Sequence, residues 1–196
     1  MSPRPSDGRQ RVVAAAADML ARHGLNATSI REMAKRAEAP LGSTYHHFPG
    51  GKQQVIREAV LFAGARVSAG LNHHLQTGVA EGLRAFLAIW RDILLRSAFR
   101  QGCPVLAAAV EEPVDDTAEE ALAASAQVFT DWRASLAAAL EKEGHAPASA
   151  ASLATLVIAS VEGAVVLCRA QRSIEPFDQV AAQLEHWLAS QGQTAA

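Results

Sequence analysis

Between Thr28 and Lys52 the chain concentrates side chains that bind without making or breaking a covalent bond. Arg31, Lys35 and Arg36 fall outside the apolar stripe of Ile30, Met33, Ala34 and Ala37, so they stay in water. A few residues on, Gly42, Ser43, Thr44, Tyr45, His46 and His47 form a run of small groups and hydrogen bonders with few charges. Cations beside uncharged donors and acceptors suit a polyanion whose phosphates are gripped and whose base edges are read. Residues 1–52 carry eight Lys and Arg against four Asp and Glu, a net +4, whereas the remainder carries −6. A basic head on an acidic body fits phosphate contact at one end. The overall charge of −2 hides that asymmetry.

The elements that must hold these groups follow from local signals. Thr28 and Ser29 are placed to cap a helix, and Glu32 stands three residues after Ser29, a capping-box spacing. Pro40 cannot continue that helix but is tolerated at the entry to another, so Leu41–His47 reads as a separate helix of about two turns. Two short helices at a tight turn, the second polar, form a helix-turn-helix that sets a recognition helix in the DNA major groove. An earlier helix from about Arg9 to His23, closed by Gly24, buttresses the pair, and residues 1–8 are expected to be a disordered arm, with Arg4 as its one basic group of interest.

The stretch resembles the DNA-binding domain of the TetR/AcrR family of one-component transcriptional regulators, through Thr28, Ala34, Ala37, Gly42, Tyr45, His47, Phe48 and Lys52. Pro40-Leu41-Gly42-Ser43, His46 to Lys52 and Gly102-Cys103-Pro104-Val105 are similar to a narrower subgroup of multidrug-type repressors responding to lincosamides or flavonoids. Glu38 stands where the family has a turn glycine, so a positive φ there would be strained. Thr44 stands where a leucine is usual, which bears on the packing of the recognition helix. The resemblance implies DNA contacts by Thr28, Arg31, Ser43, Thr44, Tyr45, His46, His47 and Lys52. Arg31 is the best candidate for a base, because a guanidinium holds guanine O6 and N7 together. Ser43 and Thr44 suit base edges or thymine methyls. Thr28, Tyr45, His47 and Lys52 suit phosphates, helped by the amides that open the next helix. Packing for Tyr45, and simple solvation for one of the two histidines, are the competing readings. Phe48 belongs to the core.

The rest of the chain reads as six further helices and no strand. Apolar stripes run from Ile56 to Leu71, Leu83 to Leu94, Pro104 to Val110, Leu122 to Leu140, Leu153 to Cys168 and Phe177 to Leu188, with prolines and glycines between them. An acidic loop spans Glu111–Asp116 and Thr117 is a cap for the helix after it. The fold class is all-α, about nine helices, with a DNA-binding head over residues 1–51 and a ligand-binding and dimerisation body over 52–196. Phe62, Phe86, Trp90, Leu106, Val110, Phe129 and Trp132 are candidates to line an effector cavity, with Glu111, Asp131 and Gln127 as anchors. Plain core is the rival reading for each. The last two helices are wide in their apolar faces and rich in alanine. The resemblance makes them a four-helix seam between two copies, through Leu156, Val157, Ser160, Val161, Ala164, Val180, Leu184, Trp187 and Leu188, rather than a monomer core.

These readings point to a homodimeric repressor on a palindromic double-stranded DNA operator, released by a small, mostly apolar or aromatic effector. It is expected to be cytoplasmic and nucleoid-associated, with no cofactor, no metal and no membrane span. His73-His74 faces two directions on a helix and lacks ligand spacing, and Cys103 and Cys168 read as free thiols. The alternative is a helical ligand carrier or small enzyme without DNA binding. Against it, the chain has no G-x-S-x-G, G-x-G-x-x-G, P-loop or H-E-x-x-H motif, so no catalytic residue is assigned.

Overall fold

The computed structural model describes residues 5–112 and 118–194, and among them every regular element is an α-helix. The chain divides into two compact units, one of residues up to Ala65 together with Cys103–Val128, the other of Arg66–Gly102 and Phe129–Ala196.

In the first unit α1 (Pro5–His23) packs against α2 (Ile30–Arg36), α3 (Leu41–His47) and α6 (Pro104–Val110). Helix α1 already begins at Pro5, which corrects the expectation of an arm through residue 8; a proline is favourable in a first helical turn, where its missing N–H has no partner to lose. Arg4 and Thr117 lie outside the described residues. Val12, Ala16, Leu20, Leu25, Met33, Phe48 and Ile56 bury their side chains in the core of this unit. Each large apolar group so buried is worth about 1.5–3 kcal/mol before chain entropy is counted. Gly24 has φ 80°, the left-handed cap anticipated after α1. Cys103 opens α6 by accepting the Leu106 N–H on its sulfur at 3.4 Å, with Pro104 at the first helical position. Helices α4 (Gly51–Leu75) and α7 (Ala118–Lys142) contribute residues to both units.

In the second unit α8 (Pro147–Gln171) packs against α5 (Val79–Arg96) and α9 (Glu175–Thr194). By length and composition α8 is apolar enough to cross a membrane. Its contacts with α5 and α9 bury Val157, Ile158, Val161, Val165 and Cys168, the pattern of a helix at the centre of a helical core. Phe86, Trp90 and Trp132 are buried and meet edge to face, with ring centroids 6.0–6.4 Å apart, and Phe129 adds a fourth ring 5.7 Å from Trp132. Such pairs contribute about 0.5–1.5 kcal/mol beyond the area they bury.

Candidate nucleic-acid interface

The local chemistry of the head explains which side chains face outward. Ser29 adopts an extended backbone and its Oγ accepts the Glu32 N–H at 3.2 Å, so α2 starts where the sequence places its cap. Met33, Ala34 and Ala37 turn inward and Arg31, Lys35 and Arg36 outward. Arg36 pairs with Asp18 of α1, and Arg22 shares that carboxylate at 3.0 Å. The turn between the helices passes through Glu38 at φ 51°, the positive φ for which the family uses glycine. Pro40 then opens α3, whose outer face presents Gly42, Ser43, Tyr45 and His46; His47 is half-buried. Tyr45 is 52% exposed, too far out to be chiefly a packing residue.

Two members of the expected contact set point elsewhere. Thr44 is 1% exposed and its hydroxyl donates to the Pro40 carbonyl at 3.1 Å. A threonine that bonds back one turn of its own helix hides its oxygen and turns its methyl into the core, taking the place of the leucine usual there. Thr28 is 4% exposed and donates to the Leu25 carbonyl at 2.7 Å, which closes the turn before α2. Neither offers its side chain to a duplex in this arrangement, which corrects the sequence expectation for both. The outward set is therefore Arg31, Ser43, Tyr45 and His46, flanked by half-buried His47 and Lys52.

Behind that face the recognition helix is clamped. Phe48 is fully buried at its end, and the Arg9 guanidinium lies 5.1 Å from the ring centroid while pairing with Glu58 at 2.7 Å. Gly50 donates its N–H to Gln54 Oε1 at 3.0 Å and Gln54 donates to Glu58 at 3.0 Å, so Arg9, Gln54 and Glu58 join the start of α4 to α1.

The effector candidates separate between the units. Phe86, Trp90, Phe129 and Trp132 form the aromatic cluster of the second unit, whereas Phe62, Leu106 and Val110 belong to the first. Val110 is 69% exposed, so in this arrangement it does not line an enclosed cavity. Of the proposed anchors, Asp131 and Gln127 are exposed and the Glu111 carboxylate binds backbone amides of the head. The acid that the second unit does bury is Glu162 of α8, which the apolar stripe of the sequence passed over. In the cluster, Trp132 Nε1 donates to Ser68 Oγ at 3.0 Å, but the buried Trp90 Nε1 has no hydrogen-bond partner among the described residues.

The proposed seam residues are also divided. Val161 and Ala164 are buried within the chain's own second unit, which takes them off a surface between copies; Val157 and Leu184 are also buried but border the groove between α8 and α9. Leu156 is exposed, and Ser160, Val180, Trp187 and Leu188 are half-buried. The outward face of α8 is instead Leu156, Ala159, Gly163, Val166 and Leu167, at helical spacing. Beside it an apolar groove of about 400 Å³ runs between α8 and α9, with Leu153, Leu156, Val180 and Trp187 among its walls.

A short, clamped helix bearing hydrogen bonders, set on a capped partner helix at the basic end of a chain whose described elements are all helices, defines a helix-turn-helix DNA-binding transcriptional regulator. Residues 12–59 match the bacterial regulatory proteins of the tetR family, and residues 79–183 match the C-terminal domain of LmrA/YxaF-like transcriptional regulators. An HTH-type transcriptional regulator of Mycobacterium tuberculosis is 37% identical over 183 residues, covering 92% of this chain and 93% of its own. The transcriptional regulator LmrA of Bacillus subtilis is 28% identical over 178 residues, covering 87% and 91%. Among solved structures, a TetR transcriptional regulator from Legionella pneumophila superposes with a TM-score of 0.79 over 95% of this chain and 97% of its own, at 21% identity, a likeness of fold. The chain belongs to the TetR family of bacterial transcriptional regulators, in its LmrA/YxaF-like branch.

Proposed function

We propose that the protein is a homodimeric repressor that holds a palindromic operator through two copies of the head and releases it when a small, mostly apolar or aromatic effector binds the body. The reading takes residues 1–51 as the head and 52–196 as the body, and assigns no catalytic role. It places the protein in the cytoplasm on the nucleoid. The observation that carries it is the outward face of Arg31, Ser43, Tyr45 and His46, held from behind by buried Thr44 and Phe48. In this reading Arg31 contacts a base, Ser43 a base edge, and Tyr45, His47 and Lys52 phosphates.

A recognition helix of seven residues reads too few base pairs to bind tightly alone, so two heads must act together. The exposed apolar face of α8 and the groove beside it support pairing of two copies there. The small residues Ala159 and Gly163 let two such helices approach closely. The aromatic cluster around Trp90, with one buried donor unmatched among the described residues, supports an effector that brings an acceptor. Because α4 contributes to both units, a body packing that the effector prefers can alter the spacing of the heads. Two half-sites lie about one helical turn apart, roughly 34 Å, and a misfit of a few ångströms forfeits one of them. By linkage the operator weakens the effector by the same factor.

Selection of binding duplexes from a randomised pool tests this reading. Enrichment of inverted repeats is expected. Recovery of no sequence, or of single half-sites without a repeat, would contradict it.

A further inference from the structure

We propose that Glu111, the residue that ends α6, is a positioning residue for DNA reading: its carboxylate fixes the turn from which the helix-turn-helix starts. The inference rests on the DNA-binding reading of the head.

Both oxygens of Glu111 are used. Oε1 accepts the Leu25 N–H and Oε2 the Asn26 N–H, each at 3.0 Å. Asn26 answers by donating its Nδ2 to the Glu112 carbonyl at 3.1 Å. These bonds join positions 85–86 residues apart in sequence within one compact unit, where α6 also packs on α1. The clasp continues into the interface. The Leu25 carbonyl accepts the Thr28 hydroxyl at 2.7 Å, and Ser29, the next residue, caps α2 ahead of Arg31. Glu111 therefore holds residues 25–26, residue 25 holds 28, and 29 sets the first turn of the helix that carries Arg31.

Two features argue that the site is built for a carboxylate. Gly24 combines a φ of 80° with a position where a Cβ would fall on Glu111 Oε1, so glycine is needed twice over. A negative charge just beyond the end of α1 also opposes that helix's dipole, and it subtracts from the positive field that the basic end of the chain offers a polyanion. Charge alone thus favours removing it. What it supplies is a pair of acceptors for two adjacent amides, which a neutral amide side chain cannot provide on both sides.

That conflict of signs makes the proposal testable. Glu111→Gln and Glu111→Ala are compared with the full-length wild-type chain by fluorescence anisotropy, using a labelled duplex enriched by the wild type and a scrambled duplex of equal length. Amide hydrogen exchange at Leu25 and Asn26 is followed in the same proteins. The expected result is a loss of about tenfold in affinity for the enriched duplex, unchanged or tighter binding to the scrambled one, and faster exchange at residues 25 and 26 while α5 and α8 keep their protection. Equal or tighter binding to the enriched duplex with its preference intact would overturn the proposal, as would unchanged exchange at the two amides. A wild type that prefers no duplex would instead defeat the DNA-binding reading, and the clasp itself would still be judged by exchange. Should Glu111→Ala fail to fold, Glu111→Gln keeps the shape of the side chain and carries the comparison.

Discussion

Arg11 Nε of α1 donates to the Ala37 carbonyl at 3.0 Å, so a guanidinium from the supporting helix satisfies the acceptor that ends α2. The contact sits one residue before the strained Glu38 and three before Pro40, where α3 begins. It ties the turn of the helix-turn-helix to α1. Arg11→Ala is expected to lower stability by about 1–2 kcal/mol, because a charge-assisted bond is lost and an acceptor is left half-buried. Thermal unfolding should fall by a few degrees for a chain of this length. An unchanged melting temperature would mean that water replaces the guanidinium without cost.

Glu38 offers the opposite prediction. Its φ of 51° carries a penalty of about 1 kcal/mol for a residue with a Cβ. Glu38→Gly removes that penalty while loosening the unfolded chain slightly, so a net gain of up to about 1 kcal/mol is expected. Glu38→Ala keeps the Cβ and should leave stability close to that of the wild type. A melting temperature lower in the glycine variant than in the alanine variant would contradict strain at this turn.

The proposed pairing of two copies uses the outer face of α8. An added Cβ at Gly163 meets nothing within the chain, so Gly163→Arg is accommodated by the lone subunit but would stand in a seam between copies. Light scattering should report half the wild-type mass for Gly163→Arg and for Leu167→Glu, with helical content unchanged. A dimer that survives both changes would place the seam elsewhere.

The effector reading turns on the indole of Trp90. Trp90→Phe keeps the ring stacking and removes the N–H that has no partner among the described residues. A compound that quenches the tryptophan fluorescence of the wild type and releases its DNA should bind this variant about tenfold more weakly, as loss of one buried hydrogen bond implies. DNA affinity without the compound should be unaltered. Equal binding of the compound by both proteins would remove the donor from the effector site.

Burial pushes the Cys168 thiol above its ordinary value, the Phe177 backbone opposing this by hydrogen bonding and nearby Asp178 adding to it. For an acid whose neutral form is favoured on folding, the stabilisation is complete below the unfolded pKa of about 8.5 and is lost as pH rises through the folded value. Iodoacetamide should therefore label neither buried cysteine of the native chain at an appreciable rate near pH 8, and both after denaturation. Urea midpoints should fall from pH 8 to pH 10, and less so in Cys168→Ala. Rapid native labelling of Cys168, or an equal fall in the variant, would contradict the burial argument.

How far these features can be read from sequence depends on whether their cause is local. Pro104 and Pro147 begin α6 and α8, Ser29 caps α2, and Gly24 closes α1, because each acts within one turn of its own chain. The faces of α3 and α8 were less legible. In a seven-residue helix of polar residues nothing in the pattern separates Thr44, which bonds back to Pro40, from Ser43, which faces out. Helix α8 is apolar nearly all round, so periodicity did not distinguish the inward Val157, Val161 and Ala164 from the outward Leu156, Ala159 and Gly163. Glu111 reads from sequence as an effector anchor because its partners, Leu25 and Asn26, are distant in sequence and offer only backbone N–H groups, which leave no trace in residue type.

In the proposed function the basic head grips DNA phosphates and reads bases from α2 and α3. The most direct test is the salt dependence of binding to the enriched duplex, measured by anisotropy for the wild type, Lys52→Ala and Arg31→Ala. A steep linear fall of log K with log salt is expected for the wild type, and a slope shallower by about one per head for Lys52→Ala. Arg31→Ala should lose sequence preference worth about 1–3 kcal/mol per head. A wild-type affinity indifferent to salt would contradict the proposed function.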